Sequence, residues 1–337
     1  MRILLIGYFA NDEIDTGGQP VKTKLLLDYL NQWDLEIYRV DTFFVRNRPT
    51  YFWRELFRGM LVSEHILVLP ARNGVKYLLP LVLALSKIFG RTIHYVVIGG
   101  WIMELLRKRS LLRYIVFRCD KIYVETNIIK DQLVDFGFSR VIVMPNAKPL
   151  KPLRKTYAIN NLKFVYFSRV IKEKGILDAI SVIVKLNLEH KSNATLDIYG
   201  PIPDDFNKLF HKIVNNHSEI RYKGIVDPLE SIAVLKNYFM MLFPTRYYTE
   251  GVPGTIIDSL AAGLPVITSD WESKSDVLKE RETCLTYDFK DNEDFYRVLH
   301  FAVQNQALIN RMRSKCVKES SKFLPENAFA LLLNELS

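Results

Sequence analysis

Apolar runs four to seven residues long recur along this chain from one end to the other, and stretches with helical spacing separate them. They fall near residues 2–6, 35–41, 65–70, 92–98, 121–124 and 141–145, and again near 162–167, 194–199, 220–224, 238–243, 265–268 and 283–286. Strands joined through helices run parallel, and a parallel sheet is covered on both faces, so its strands are apolar almost throughout. The pattern predicts an α/β chain of two Rossmann-like halves. Its 337 residues suffice for two cores, each of about 150 residues.

The join between the halves is legible in Met144-Pro145-Asn146-Ala147-Lys148-Pro149-Leu150-Lys151-Pro152. Three prolines with basic residues between them make an extended linker rather than an element. Domains are therefore expected at 1–150 and 151–322, with a short terminal helix in 323–337. No internal repeat or low-complexity tract interrupts this plan.

Chemistry concentrates in residues 243–269, where a strand runs into a glycine-rich helix start. Glu250-Gly251-Val252-Pro253-Gly254-Thr255 opens a helix expected to end at Gly263-Leu264-Pro265. The first turn of a helix carries unpaired N–H groups and the positive end of the dipole, which suits an anion. Pro253 has no N–H to offer and fits an orphan position near the start. Gly251 and Gly254 let a ligand approach the backbone closely. Glu250 and Asp258, eight residues apart, are carboxylates that can each accept two hydroxyl hydrogen bonds. A capped helix with solvated acids explains the same residues without any ligand.

A second window follows the strand near 162–167: Ser168-Arg169-Val170-Ile171-Lys172-Glu173-Lys174-Gly175. In an α/β sheet the ligand crevice opens at the carboxyl ends of the strands, and two cations there can neutralise a diphosphate. Arg169 offers a planar fork and Lys174 a mobile point charge. A solvated turn is the alternative for this window taken alone.

Together, Arg169, Lys174-Gly175, Glu250-x7-Asp258 and Ala261-Ala262-Gly263-Leu264-Pro265-Val266-Ile267 resemble the donor site of retaining glycosyltransferases of family 4, which have the GT-B fold. The resemblance covers nearly the whole chain, is closest between residues 162 and 270, and is nearest to members that build bacterial capsule, exopolysaccharide or O-antigen. It implies two Rossmann-like domains facing a cleft, the second holding a nucleoside-diphosphate sugar, and a terminal helix returning to the first domain. It implies that Arg169 and Lys174 bind the diphosphate and stabilise the leaving group, with backbone N–H groups near Gly254 and Thr255 assisting. Glu250 then holds hydroxyls of the transferred sugar, Asp258 the ribose, and Ile225 lies near the base. The family's usual pattern is Glu-x7-Glu; Asp258 is one methylene shorter and keeps the ribose contact in kind. No nucleophile has an agreed place in the family, and front-face attack assisted by the leaving phosphate is its usual proposal.

In the first half, Gly17-Gly18 precedes a helix expected from Val21 to Leu30, and Gly99-Gly100 follows the strand near 92–98. Each pair leaves room for a sugar or phosphate against the backbone, or simply makes a turn. The family places a glycine loop facing the cleft on the acceptor side, so these four residues are the candidates there. Some members carry a catalytic His or Asp near the second pair. Here Ile98-Gly99 stands at that point, His94 is expected to be packed within its strand, and no general base is assigned.

Composition excludes several classes. Cys119, Cys284 and Cys316 are too far apart for a zinc site and too few for a disulfide framework, so reduced cytosolic thiols are expected. The six histidines lack ligand spacing, and no Asp-x-Asp follows an apolar strand. Catalysis without a metal or other cofactor is therefore expected. Asp288, Asp291 and Asp294 read as the cap and first turn of a helix. The apolar start runs directly into Asn11-Asp12-Glu13 without a cleavage site, and the apolar stretch 77–85 is too short to span lipid, so a cytoplasmic chain is expected.

Charge is uneven: 21 Lys and Arg face 14 Asp and Glu in residues 1–150, against 25 and 23 in the remainder. Residues 46–58 and 105–118 mix cations with aromatics, as a helix docking on anionic lipid headgroups does. A solvated basic helix face above a buried stripe fits equally well. Nucleic acid is excluded, since no binding motif accompanies the charge. The partners expected are a nucleoside-diphosphate sugar, a glycan acceptor carried on a polyprenyl diphosphate, and the anionic inner membrane surface. The rivals are a GT-B nucleotide-sugar epimerase and a non-catalytic nucleotide-binding scaffold of a polysaccharide assembly.

Overall fold

A computed structural model of the chain describes residues 1–12 and 18–336. It divides into two compact units, Met1–Pro149 with Phe323–Ser337, and Leu150–Lys322. The division falls inside the proline-rich stretch, where residues 144–153 form no regular element.

Unit 1 holds strands β1 (Arg2–Gly7), β2 (Glu36–Asp41), β3 (His65–Val68), β4 (Thr92–Val96), β5 (Lys121–Val124) and β6 (Val141–Val143). They form one parallel sheet in the order β2-β1-β3-β4-β5-β6, with Ile6 level with both Val40 and Val68. Its helices are α1 (Gly18–Leu30), α2 (Phe44–Asn47), α3 (Pro49–Val62), α4 (Arg72–Ile88), α5 (Ile102–Lys108), α6 (Ser110–Phe117) and α7 (Asn127–Asp135). Strand residues alternate between two cores, as period-2 geometry requires. Leu4, Ile6, Ile66 and Tyr95 pack under helices α3 to α7, while Ile3, Leu5, Leu67 and Val96 pack under α1 and the end of the chain.

Unit 2 repeats the plan with β7 (Lys163–Phe167), β8 (Thr195–Tyr199), β9 (Ile220–Gly224), β10 (Met240–Phe243), β11 (Val266–Ser269) and β12 (Cys284–Tyr287), all parallel, in the order β12-β11-β10-β7-β8-β9. Helices α8 (Ile176–His190), α9 (Asp204–Val214), α10 (Ser231–Leu235), α11 (Gly254–Ala261), α12 (Lys274–Val277), α13 (Asn292–Gln304) and α14 (Gln306–Ser320) cover it. The tail forms α15 (Pro325–Ala328) and α16 (Ala330–Leu336), which belong to unit 1.

All twelve strands lie within two residues of the positions read from the sequence. Three details differ. Helix α1 starts at Gly18, because Pro20 in its first turn needs no N–H partner there. The basic stretch 105–118 is two helices, since Arg109 is extended at φ −141°. The tail is two short helices, with the buried Phe329 at the break lying 5.3 Å from the Tyr29 ring.

Each sheet order reverses once. In unit 1 the reversal lies between β1 and β3, in unit 2 between β7 and β10. Ligands of open α/β sheets bind outside the carboxyl ends of the strands at such a point.

Candidate functional site

The loops leaving β7 and β10 are the two sequence windows, and the fold sets them side by side. After β7 the chain passes through Arg169 and a short 3₁₀ turn, Lys172–Lys174, into Gly175. Gly175 has φ +72°, and a Cβ there would stand 1.8 Å from the Pro244 carbonyl oxygen, so only glycine permits this approach of the two loops. Burial keeps the Tyr166 phenol protonated, and it donates to the carbonyls of Arg169 (2.8 Å) and Lys174 (3.3 Å), fixing the first loop.

This close approach brings Lys174 onto Glu250. The ammonium donates to Glu250 Oε1, which also accepts from Thr245 Oγ1 at 2.9 Å. The two side chains are 10% and 14% exposed, so Lys174 is a pinned cation rather than the mobile charge expected of it. The rings of Phe243 and Tyr247 lie 5.5 and 5.1 Å from Nζ and hold it further. Arg169 is exposed and makes no ion pair among the described residues. The pair is thus a neutralised, half-dry centre beside a cation open to an anion.

Helix α11 begins at Gly254, directly after Gly251 and Pro253, whose side chain offers no cap. The Ile256 and Ile257 amides donate to the Pro253 carbonyl at 3.0 and 3.3 Å, which leaves those of Gly254 and Thr255 for a ligand or solvent. The Thr255 hydroxyl, one residue in, is buried and has no hydrogen-bond partner among the described residues. Asp258 lies one turn further at 2% exposure. Ile225 stands apart, 68% exposed beyond the end of β9 at the sheet edge.

The sequence reading missed what steadies the second loop. Arg246 donates twice to Asp178 on α8, at 2.7 Å each, and its amide donates to Glu173 O at 2.9 Å. Asn292 Nδ2 adds a third bond to Asp178 at 3.1 Å. The hydrogen bonds to Asp178 hold the guanidinium pKa above its ordinary value. A cation just after β10 was visible in the sequence; its partner 68 residues away was not.

In unit 1, Gly18 opens α1, and Gly17 lies outside the described residues. Gly99 and Gly100 follow β4, and the Gly99 amide donates to Glu125 Oε1 at 3.1 Å. Glu125 is buried against Lys22 at 2.9 Å, an ion pair the sequence reading also missed. A cavity of about 530 Å3 opens nearer the reversal, lined by Tyr8, Gln19, Phe43, Arg46, Asn73 and Tyr77 among others. Aromatic faces beside amides are the lining a sugar ring suits. His94 is fully buried within β4, with Nδ1 3.0 Å from Tyr123 OH and Nε2 3.0 Å from His65 Nδ1. Burial pushes its pKa down to about 4.

Among the described residues, no group of three or more His, Cys, Asp and Glu is placed to hold a metal ion, and no helix is long and apolar enough to cross a membrane. Asp291 caps α13 by accepting from the amides of Glu293 and Asp294 at 2.9 and 3.0 Å, as its spacing indicated.

No curated protein sequence matches the chain. Solved structures do match in fold. The Anabaena protein HepE in complex with UDP is 11% identical, with a TM-score of 0.75 over 100% of this chain and 99% of that one. A sucrose-phosphate synthase from Thermosynechococcus elongatus is 12% identical, with a TM-score of 0.71 over 99% and 98%. The lipopolysaccharide outer core galactosyltransferase WaaB, in its apo form, is 15% identical, with a TM-score of 0.68 over 100% and 99%. The family model of the glycosyl transferases group 1 matches residues 153–323, just over half of the chain and all of the Arg169-to-Asp258 region, so the chain belongs to that family and is a retaining glycosyltransferase of the GT-B fold.

Proposed function

We propose that the chain transfers a sugar from a UDP-sugar to a hydroxyl of a growing surface glycan carried on a polyprenyl diphosphate. The observation that carries the donor half is the meeting of Lys174 and Glu250 at the β7/β10 reversal, beside the exposed Arg169 and the start of α11. HepE, solved with UDP and with UDP-glucose, supports the base.

Without donor, the Lys174 ammonium and the Glu250 carboxylate satisfy one another. An incoming diphosphate competes for the ammonium and receives Arg169 as a second, forked cation. Glu250 is then released to accept hydroxyls of the donor sugar, and Asp258 those of the ribose. The amides opening α11 and the Thr255 hydroxyl complete the shell around the phosphates, and Ile225 borders the base. As the glycosidic bond breaks, negative charge grows on the leaving UDP where these donors already point, and this chain's own cations carry the role a metal has elsewhere. The acceptor hydroxyl attacks from the face the UDP leaves, losing its proton to the departing phosphate. Unit 1 holds the acceptor glycan through its 530 Å3 cavity and the backbone at Gly18, Gly99 and Gly100; Gly17, the fourth candidate, lies outside the described residues.

Thermal shift against UDP, GDP, ADP and CMP tests the donor half. UDP at 100 times its dissociation constant adds about 2.7 kcal/mol to wild type. In Arg169→Ala/Lys174→Ala the shift disappears. Stabilisation by another nucleotide alone, or a shift that survives in the double variant, overturns this donor site. With lipid-linked glycan and UDP-sugar, Glu250→Ala lowers transfer by about 100-fold or more.

A further inference from the structure

One region of unit 1 contains the chain's whole charge imbalance. From Phe44 to Asp120, thirteen Lys and Arg face four Asp and Glu; elsewhere the two classes are equal at thirty-three each. This region builds β3, β4 and helices α2 to α6, and the inner residues of α3, α4, α5 and α6 enter one core on one side of the sheet.

The outer residues of these helices are unusual for a surface. On α4, Tyr77, Leu81, Ala84 and Ile88 follow each other at four, three and four residues and form one exposed stripe. Helix α6 packs beside α4 and exposes Leu111, Tyr114 and Phe117, one turn apart. Tyr77 and Ile88 are 78% and 75% exposed, and all three α6 residues exceed half. Helix α3, on the same side, adds Phe57 and Leu61, with Arg54 and Arg58 near them in sequence. Scattered exposed leucines need no explanation, but a stripe on each of two adjoining helices does.

Cations border the stripes. Arg107, Arg109, Arg113 and Arg118 have no carboxylate at ion-pair distance among the described residues; Arg118 lies over the Tyr114 ring and Arg113 over Phe136. Three of the region's four carboxylates are already matched, Glu55 by Arg54 and Arg58, Glu104 by Arg72 and Lys108, and Asp120 by Lys87 and Arg140.

We infer that this α4–α6 face docks in the plane of an anionic lipid bilayer, with its apolar stripes at the headgroup boundary and its arginines on the lipid phosphates. Charge complementarity selects this occupant. A second copy would oppose arginine with arginine, and nucleic acid offers nothing to the Leu and Ile of the stripes. Tyr77 both heads the α4 stripe and lines the unit 1 cavity, so a docked face sets that cavity at the lipid surface. The inference stands on surface chemistry and is independent of the donor site.

The test is flotation of the full chain with phosphatidylcholine vesicles, with and without phosphatidylglycerol. Wild type partitions at least tenfold better onto the anionic vesicles at low salt and is released near ~0.5 M NaCl, where screening is nearly complete. Each cation contributes about fivefold, ~1 kcal/mol. Arg109→Glu/Arg113→Glu therefore lowers partition by more than tenfold, and Leu111→Ser/Phe117→Ser by a similar factor. Both variants alter exposed side chains and keep the wild-type melting temperature, as does Leu188→Ser on α8, which binds vesicles normally. Equal partition onto both vesicle types overturns the inference, as do variants that bind like wild type. So does a dimer in solution that Leu111→Ser/Phe117→Ser breaks while vesicles are ignored.

Discussion

The Thr255 hydroxyl makes a cost visible within the proposed donor site. A buried hydroxyl without a partner is unfavourable, and replacing it by an isosteric methyl removes that cost. Thr255→Val is therefore expected to leave the ligand-free chain unchanged or to stabilise it by up to ~1 kcal/mol. If the hydroxyl donates to the donor phosphate, the same variant loses about 1.5–3 kcal/mol of the stabilisation that UDP gives, the worth of a hydrogen bond to a charged group. Melting curves with and without UDP separate the two effects. A variant that is destabilised alone, yet gains as much from UDP as wild type, would assign Thr255 to helix packing. Lys174 and Glu250 belong to the same scale. The roles proposed for them come from residue type, since cations suit a diphosphate and carboxylates suit sugar hydroxyls. That they pair with each other was not legible, because it depends on the close approach at Gly175, where a Cβ would stand 1.8 Å from the Pro244 carbonyl oxygen.

Across three adjacent strands of unit 1, His65, His94 and Tyr123 form a chain of polar contacts within the sheet. His94 has an ordinary pKa of 6.5, which burial lowers to about 4, with the charge of His65 acting in the same direction. The folded state therefore binds fewer protons than the unfolded state between these values. Stability from the neutral imidazole is full above about pH 6.5 and drains as pH falls toward about 4. The whole span is worth about 3 kcal/mol. His65 is shifted in the same direction and adds to the slope. In His94→Gln the slope should flatten, which urea unfolding at pH 7 and pH 4.5 reads directly; parallel curves would refute the assignment. The element-level pattern explains what could be foreseen. Apolar strands and their order along the chain were readable, and so was His94 as a packed residue, because period and burial are local properties. The break at Arg109, the split of the tail at Phe329 and the Arg246–Asp178 clamp were not, because tertiary packing decides each of them.

The division into units gives the chain a discontinuous architecture: Leu150–Lys322 is inserted between the body of unit 1 and its final two helices. The tail is part of a core rather than an appendage. Phe329 and Leu332 are fully buried and Leu336 nearly so, among Leu26, Tyr29 and Leu67, and Lys121 pairs with Glu335 at 2.5 Å. Burying three such side chains contributes on the order of 6 kcal/mol, which is comparable with the net stability of a domain. A chain ending at Lys322 should therefore unfold unit 1 or leave it marginal. Unit 2 keeps its own core, from Phe164 and Ile198 to Leu299, and every residue assigned to the donor site. Hydrogen exchange is expected to show lost protection in β1 to β6 and retained protection in β7 to β12, while UDP still raises the melting temperature of the truncated chain. Loss of both protections together would mean that the two units fold as one cooperative body. The surviving pattern would instead mean that donor binding and acceptor binding depend on separate folding equilibria, so that a mutation in the tail reaches transfer through the acceptor alone.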